Sequence, residues 1–414
     1  MERGNVLSQL LRFTPLVWVM LLGNFFVRAT YYMVWPFLSV LLYQKYNLNA
    51  TEVGLLLSIS AVFSVLLGFY TGNLADRYGR FKLLYASVLV GIFSFIALAF
   101  VESLWAFCMA VFFATMPRAL WDAPSKALLS DELKEDGDRE LALHMLYFLV
   151  NVGAAIGPLY GLWAGLNGEQ FSFIYTAVSY IGLLVALLVM HRGHSVYNAG
   201  VATTLPNFSS WLGILKKDTV FLLVLAANLL IYFVFAQGDS SLIQYLARAE
   251  VPELATLVSM LIVVNSSVIV LCQFPLLHLM RHWSIQKRLY CGGGILALSQ
   301  VMMALNPVDY FSGWIVCVLV WSLSEAVMFS NINVHIDRLA PEHLKSSYFG
   351  AAGLCSLGFA LAPLLGGIVL DIASGPVLFI VTTAISVVAL MIYRVAERTP
   401  RDETLLGVSN LSSG

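Results

Sequence analysis

The chain has 414 residues, 59% of them hydrophobic and only 11% charged, with a formal net charge of −1 at pH 7. A soluble domain carries about 25% charged residues. This excess of apolar side chains is more than a water-soluble core absorbs, and lipid is the solvent that accepts it. No nucleic-acid or dinucleotide-binding pattern is present, so neither a nucleic-acid partner nor a cofactor is expected. The five cysteines (Cys108, Cys272, Cys291, Cys317, Cys355) lie in apolar runs without metal-ligand spacing. They read as reduced packing residues, and no metal site is expected. Arg3 and Arg12 precede a long first apolar run with no small-residue cleavage site, so no cleavable signal peptide is expected.

A membrane-spanning helix needs about 20 predominantly apolar residues. Twelve segments meet that requirement, at 14–42, 52–71, 83–101, 105–129, 142–166, 171–191, 219–246, 254–280, 289–305, 311–335, 347–370 and 375–395. They predict an all-α integral membrane protein with twelve transmembrane helices. Of the 23 Lys and Arg, all but four fall in the termini or in loops following even-numbered spans. Lys45 and Arg248 lie on the other side, and Arg28 and Arg118 lie inside helices. That bias predicts cytoplasmic N- and C-termini and a location in the cell's inner membrane.

In chain order, the first span places Asn24, Arg28, Tyr31, Tyr32 and Trp35 on one helical face. Next comes the short basic stretch Gly72-Asn73-Leu74-Ala75-Asp76-Arg77-Tyr78-Gly79-Arg80-Phe81-Lys82. Gly72 and Gly79 are expected to let the backbone turn tightly and let two helix ends approach. The fourth span carries Arg118, Trp121 and Asp122, and the one-turn spacing of Arg118 and Asp122 suits a salt bridge. The loop at 131–140 is acidic. In the fifth span, Gly153, Gly157 and Gly161 permit close helix contact, and Pro158 removes one backbone hydrogen bond. Residues 192–218 form a longer polar linker with a short amphipathic segment at its end. The seventh span places Asn228, Tyr232, Phe235 and Asp239 on one face, and the tenth does the same with Trp321, Glu325 and Met328. The tail at 397–414 is polar, rich in Ser and Thr, and expected to be disordered.

An offset of 205 residues superposes the halves: Lys82-Leu83-Leu84-Tyr85 falls on Lys287-Arg288-Leu289-Tyr290, and Gly153-x3-Gly157-Pro158-x2-Gly161 on Gly358-x3-Ala362-Pro363-x2-Gly366. The repeat predicts a six-helix bundle at 1–191, a cytoplasmic linker at 192–218, a second six-helix bundle at 219–396 and the tail at 397–414. Asp76 falls on Arg281, so only the first copy of the loop pattern is intact.

Arg28, Arg118, Asp122, Asp239 and Glu325 sit in the middle of apolar helices, where each ionised group opposes insertion by about 2.5–3.5 kcal/mol. Such residues pair with one another or line a polar cavity. Asp239 and Glu325 have no local basic partner in sequence, and a carboxyl buried without a countercharge holds its proton more tightly than one in water. They are the candidate proton-coupling residues, with Asp122 and Arg118. The candidate substrate-binding residues are Arg28, Asn24, Tyr32, Trp35, Trp121, Tyr232 and Trp321. The first half holds a formal +1 inside the membrane and the second a formal −2. The seven histidines fall at helix ends and loops without ligand spacing, so no enzyme is expected.

The stretch 72–82 closely resembles the G-x-L-x-D-R-x-G-R-[RK] signature of the major facilitator superfamily, between its second and third helices. The resemblance covers residues 14–395. It implies two pseudo-symmetric six-helix bundles, a self-sufficient monomer, and alternating access to a central site for small molecules and protons within the lipid bilayer. By the same resemblance Gly72, Asp76, Arg77, Gly79 and Arg80 form a conformational latch. Arg118 with Trp121 is similar to the fourth-helix arginine motif of drug:proton antiporters, with Asp122 where glycine is usual. Gly153, Gly157, Pro158 and Gly161 resemble the fifth-helix antiport motif, and Gln237-x-Asp239 and Glu325 resemble proton- and cation-handling positions of twelve-helix multidrug antiporters. Arg28-Ala29-Thr30-Tyr31-Tyr32 looks like the first-helix segment of proton-coupled peptide transporters, with Asn24 and Val27 where glutamates stand. Two functions follow as expectations: proton-coupled export of small amphipathic or drug-like molecules, or proton-coupled transport of a zwitterionic or carboxylate metabolite such as an amino acid, peptide or siderophore.

Overall fold

A computed structural model describes residues 6–35, 38–46, 48, 50–163, 170–193 and 208–401. The described residues form helices and no strand. Twelve helices are long and apolar enough to cross a membrane: Pro15–Val34, Leu55–Tyr78, Arg80–Phe100, Leu104–Glu132, Asp136–Gly161, Gln170–His191, Thr219–Arg248, Thr256–Leu279, Ile285–Leu305, Phe311–Leu339, Glu342–Ile372 and Gly375–Arg398. They are the first to twelfth spans below. In lipid each backbone N–H and C=O must be satisfied within the protein, and a helix does this without help from water.

Several spans are interrupted where the sequence predicts continuity. The first span is described to Val34 and a helix runs over Leu38–Tyr46, with residues 36–37 outside the described residues. The fourth breaks at Thr115, between helices Leu104–Ala114 and Met116–Glu132. Pro117 cannot donate to the preceding turn, and side chains of the second span serve the freed region: Ser64 Oγ donates to the Thr115 carbonyl at 2.9 Å. The seventh breaks at Ser240, between Thr219–Asp239 and Ser241–Arg248. The eleventh is interrupted by the 3-10 turn Gly353–Ser356.

The chain divides into two compact units. One comprises Met1–Asn207 with Ala340–Gly353, the other Phe208–Leu339 with Leu354–Gly414. The repeat predicts a boundary inside the linker alone. The structure instead groups the first turns of the eleventh span with the first unit and helix Phe208–Lys217 with the second. Residues 194–207 of the expected linker and 402–414 of the expected tail lie outside the described residues. The start of the tail is ordered, because the twelfth span runs to Arg398 and Arg401 forks onto Asp218 at 2.6 and 3.2 Å.

In the first unit the first and fifth spans cross tightly. A Cβ on Gly153 would lie 3.1 Å from the Ala29 nitrogen, and one on Gly157 would collide with the Ala29 carbonyl oxygen. Gly161 meets the Met33 backbone in the same way. The second unit repeats the crossing between the eleventh and seventh spans, where a Cβ on Gly358 would lie 2.5 Å from the Leu229 carbonyl oxygen. There Ala362 replaces the middle glycine, and its carbonyl accepts from Gln237 Nε2 at 3.3 Å.

Candidate functional site

Three groups of polar residues stand out, two in the first unit and one in the second. The first is the expected latch. The sequence predicts a loop over 72–82, but the second span continues through Tyr78 and the third begins at Arg80, so the connection is Gly79 alone. Its φ of 102° is one that an L side chain rarely adopts, so glycine is required there. Gly72 is not a turn residue. It lies inside the second span, where a Cβ would collide with the Ser346 carbonyl oxygen and lie 3.1 Å from Gly350 Cα. This close approach brings helix Lys345–Ala352 onto the second span. Asp76 then accepts from the Ser346 N–H at 3.2 Å and from the Ser347 N–H and Oγ at 2.7 Å each. These first-turn N–H groups have no intrahelical acceptor, and a carboxylate there also complements the helix dipole. Arg80 lies 3.5 Å from Asp76, pairs with Asp131, and donates to Ser346 Oγ at 3.0 Å and to the Ala127 carbonyl at 3.2 Å. Buried Lys345 places its Nζ 3.5 Å from Asp131. Arg77 does not join this group: it is exposed and stands 5.3 Å from the Tyr78 ring.

The second group joins the first and fourth spans. Asp122 receives Arg28 Nη2 on Oδ1 and Arg118 Nε on Oδ2, each at 3.3 Å. Arg118 and Asp122 pair as their spacing predicts; the pairing of Arg28 with Asp122 across 94 positions is visible only in the fold. Arg28 is largely buried, with 10% of its side chain exposed, whereas Arg118 is 62% and Asp122 37% exposed. Lys126 lies one turn beyond Asp122 and within its electrostatic reach. Its Nζ stands 5.8 Å from the Phe349 ring. Lys126, one of the basic residues in the charge bias, stands beside this group in helix Met116–Glu132. Asn24 is buried a turn before Arg28, and Trp121 is buried with its indole N–H unpaired among the described residues. Tyr31 stacks on Trp35 at 4.7 Å and meets Tyr32 edge-on at 5.4 Å.

The third group lies in the second unit. Glu325 of the tenth span is buried and accepts from Asn265 Nδ2 of the eighth at 2.7 Å; the same amide lies 3.1 Å from Ser322 Oγ. Asn265 is absent from the sequence expectations because one asparagine in an apolar span carries no distinguishing local signal. Asp239 stands at the break of the seventh span. Among the described residues its carboxylate has no hydrogen-bond or ion-pair partner. Beside it Ser241 Oγ donates to Gln237 Oε1 at 2.5 Å. The aromatic residues expected to bind substrate here pack on neighbouring rings. Trp321 stacks on Phe235 at 4.1 Å with 10° between planes, and Tyr232 packs on Phe329 and Phe359 at 4.8 and 5.2 Å. Among the described residues no group of His, Cys, Asp and Glu could hold a metal ion.

A family model described as Major Facilitator Superfamily matches residues 20–356. An uncharacterized MFS-type transporter of Bacillus subtilis, YqjV, is 28% identical over 395 residues, covering 94% of this chain and 95% of the relative. A Na(+), Li(+), K(+)/H(+) antiporter of Planococcus maritimus is 26% identical, covering 84% of this chain and 87% of its own length. Among solved structures, the human organic anion transporter MFSD10 superposes with a TM-score of 0.71 at 14% identity, over 92% of this chain and 99% of that one. At that identity the likeness speaks for the fold alone.

Proposed function

Since the chain belongs to the Major Facilitator Superfamily, a family of multi-pass membrane transporters, we propose that it exports small amphipathic molecules in exchange for protons. The observation that carries this reading is Asp239. A carboxyl with no counter-ion among the described residues, placed where its helix breaks, can gain or lose a proton without first breaking an ion pair. Intramembrane acids of this kind mark proton relays. Glu325, held by the Asn265 amide, is the second coupling residue. Proton uptake from outside and proton release inside drive the site between its cargo-binding and cargo-releasing states. The Asp76 group acts as a latch at the start of the eleventh span, stabilising one end of the transport cycle; Asp76→Asn shifts the resting population toward the inward-open state.

Transport in proteoliposomes with an imposed pH gradient tests the coupling. The wild-type chain is expected to accumulate cargo against its gradient, and the Asp239→Asn/Glu325→Gln double variant is expected to let cargo only equilibrate. Undiminished accumulation in that variant rejects the proton-coupled reading. Cysteine labelling at cytoplasmic-side positions tests the latch, and labelling unchanged by Asp76→Asn removes its role.

A second reading is exchange of an alkali cation for protons. It is supported by the oxygen-bearing side chains gathered at Glu325, Asn265 and Ser322, the hard donor type such cations prefer. The Planococcus antiporter covers most of this chain and adds to that support. Sodium-dependent proton release from loaded vesicles separates the two.

A further inference from the structure

Around Asp122 the first unit gathers more positive charge than that one carboxylate neutralises. Arg28, Arg118 and Lys126 gather around Asp122: both arginines donate to it, and Lys126 lies one turn beyond it on the same helix. Each oxygen of that carboxylate is already taken by one arginine. A guanidinium has five N–H donors and an ammonium three. Among the described residues Arg118 gives one N–H to Asp122 and leaves 62% of its side chain accessible. Lys126 faces the Phe349 ring, a weak partner for a full charge. Uncompensated charge inside a membrane span opposes insertion, and such groups are found where they handle a charged ligand or one another. Here mutual pairing is incomplete: among the described residues three cations share one acid. Planar guanidinium forks beside an ammonium match carboxylate, sulfonate or phosphate oxygens.

We propose that Arg118 and Lys126, braced by the Arg28–Asp122 pair, form the seat for the anionic group of the exported molecule, so that the cargo is an amphipathic organic anion. This rests on the export reading above and names its substrate class. Arg28 is the positioning residue: buried and paired with Asp122, it fixes the carboxylate that in turn orients Arg118. Tyr31 and Tyr32 lie within electrostatic reach of Arg118 and offer aromatic faces near the apolar body of such a ligand. A lipophilic cation meets repulsion at the same place.

The test uses the full chain and dyes that share a xanthene body: fluorescein, which is anionic, and rhodamine 123, a cationic ester. Binding is measured by fluorescence anisotropy in detergent, without a pH gradient. Fluorescein is expected to bind at least about tenfold more tightly than rhodamine 123, the ratio set by one charge-assisted contact. Lys126→Gln is expected to weaken fluorescein about tenfold, and Lys126→Arg to restore it. Equal binding of the two dyes, or fluorescein binding unchanged in Lys126→Gln, overturns the proposal. The dye comparison needs no variant, so it survives a folding defect in Lys126→Gln. If phosphatidylglycerol raises the melting temperature in a Lys126-dependent way while fluorescein does not bind, the cations serve a lipid headgroup and the proposal falls. Selective fluorescein binding without gradient-driven uptake supports the seat and overturns proton-coupled export alone. Gradient-driven uptake of rhodamine 123 but not fluorescein supports export and overturns the seat alone.

Discussion

The two units hold charge inside the membrane by opposite means. In the first, Asp122 is divided between two arginines, with a third cation one turn away. In the second, Glu325 takes the neutral amide of Asn265, and Asp239 has no ion-pair partner among the described residues. The Asp122 carboxylate sits between two guanidinium groups, whereas Glu325 accepts from an amide N–H. On the proposed reading, ligand charge belongs to the first unit and proton exchange to the second.

The comparison breaks most directly at Asp122. Asp122→Asn removes the acid common to three cations and is expected to destabilise the chain by about 3 kcal/mol, the scale for stranding a buried charge. Thermal unfolding in detergent reads it, and a loss no larger than that of Glu325→Gln would erase the distinction between the units. Gly157→Ala forces a methyl against the Ala29 carbonyl and is expected to cost about 1–3 kcal/mol. At the equivalent crossing the chain already carries Ala362, so Ala362→Gly is expected to lower the melting temperature much less. Asp76→Asn exchanges charge-assisted hydrogen bonds to Ser346 and Ser347 for neutral ones and is expected to cost about 2 kcal/mol. Faster labelling of a cysteine placed at Ser347 checks it. Glu325→Gln keeps the Asn265 contact within reach of a neutral acceptor and is expected to change stability by under about 1 kcal/mol while abolishing gradient-driven uptake. Smallest is Arg77→Ala, expected within about 0.5 kcal/mol because the side chain is exposed and outside the latch.

The chain's local signals carry those contacts whose cause is local. Arg118 and Asp122 are one turn apart, so their contact follows from helix geometry alone. Gly153, Gly157 and Gly161 announce a close crossing by spacing, though not that the partner is the first span. The latch was half legible: Asp76 and Arg80 stand in a recognisable pattern, whereas Asp131, Lys345, Ser346 and Ser347 join them from 51 to 271 positions away. The aromatic stripes were legible as helical faces, but not that Phe235 and Trp321 stack on each other. Periodicity reports which residues share a face, not what that face meets.

The order of residues by itself determined the twelve spans, the repeat and the set of ionisable groups carried into the bilayer, because hydropathy and helical spacing act over about 20 neighbouring positions. Only the tertiary structure decided which of those groups neutralise one another. It set Arg28 on Asp122, gave Glu325 to Asn265, drew Lys126 into the basic group and moved Lys345–Ala352 into the first unit. Ion pairing and hydrogen bonding act across a few ångströms of space, and residues that meet at that range come from spans far apart along the chain.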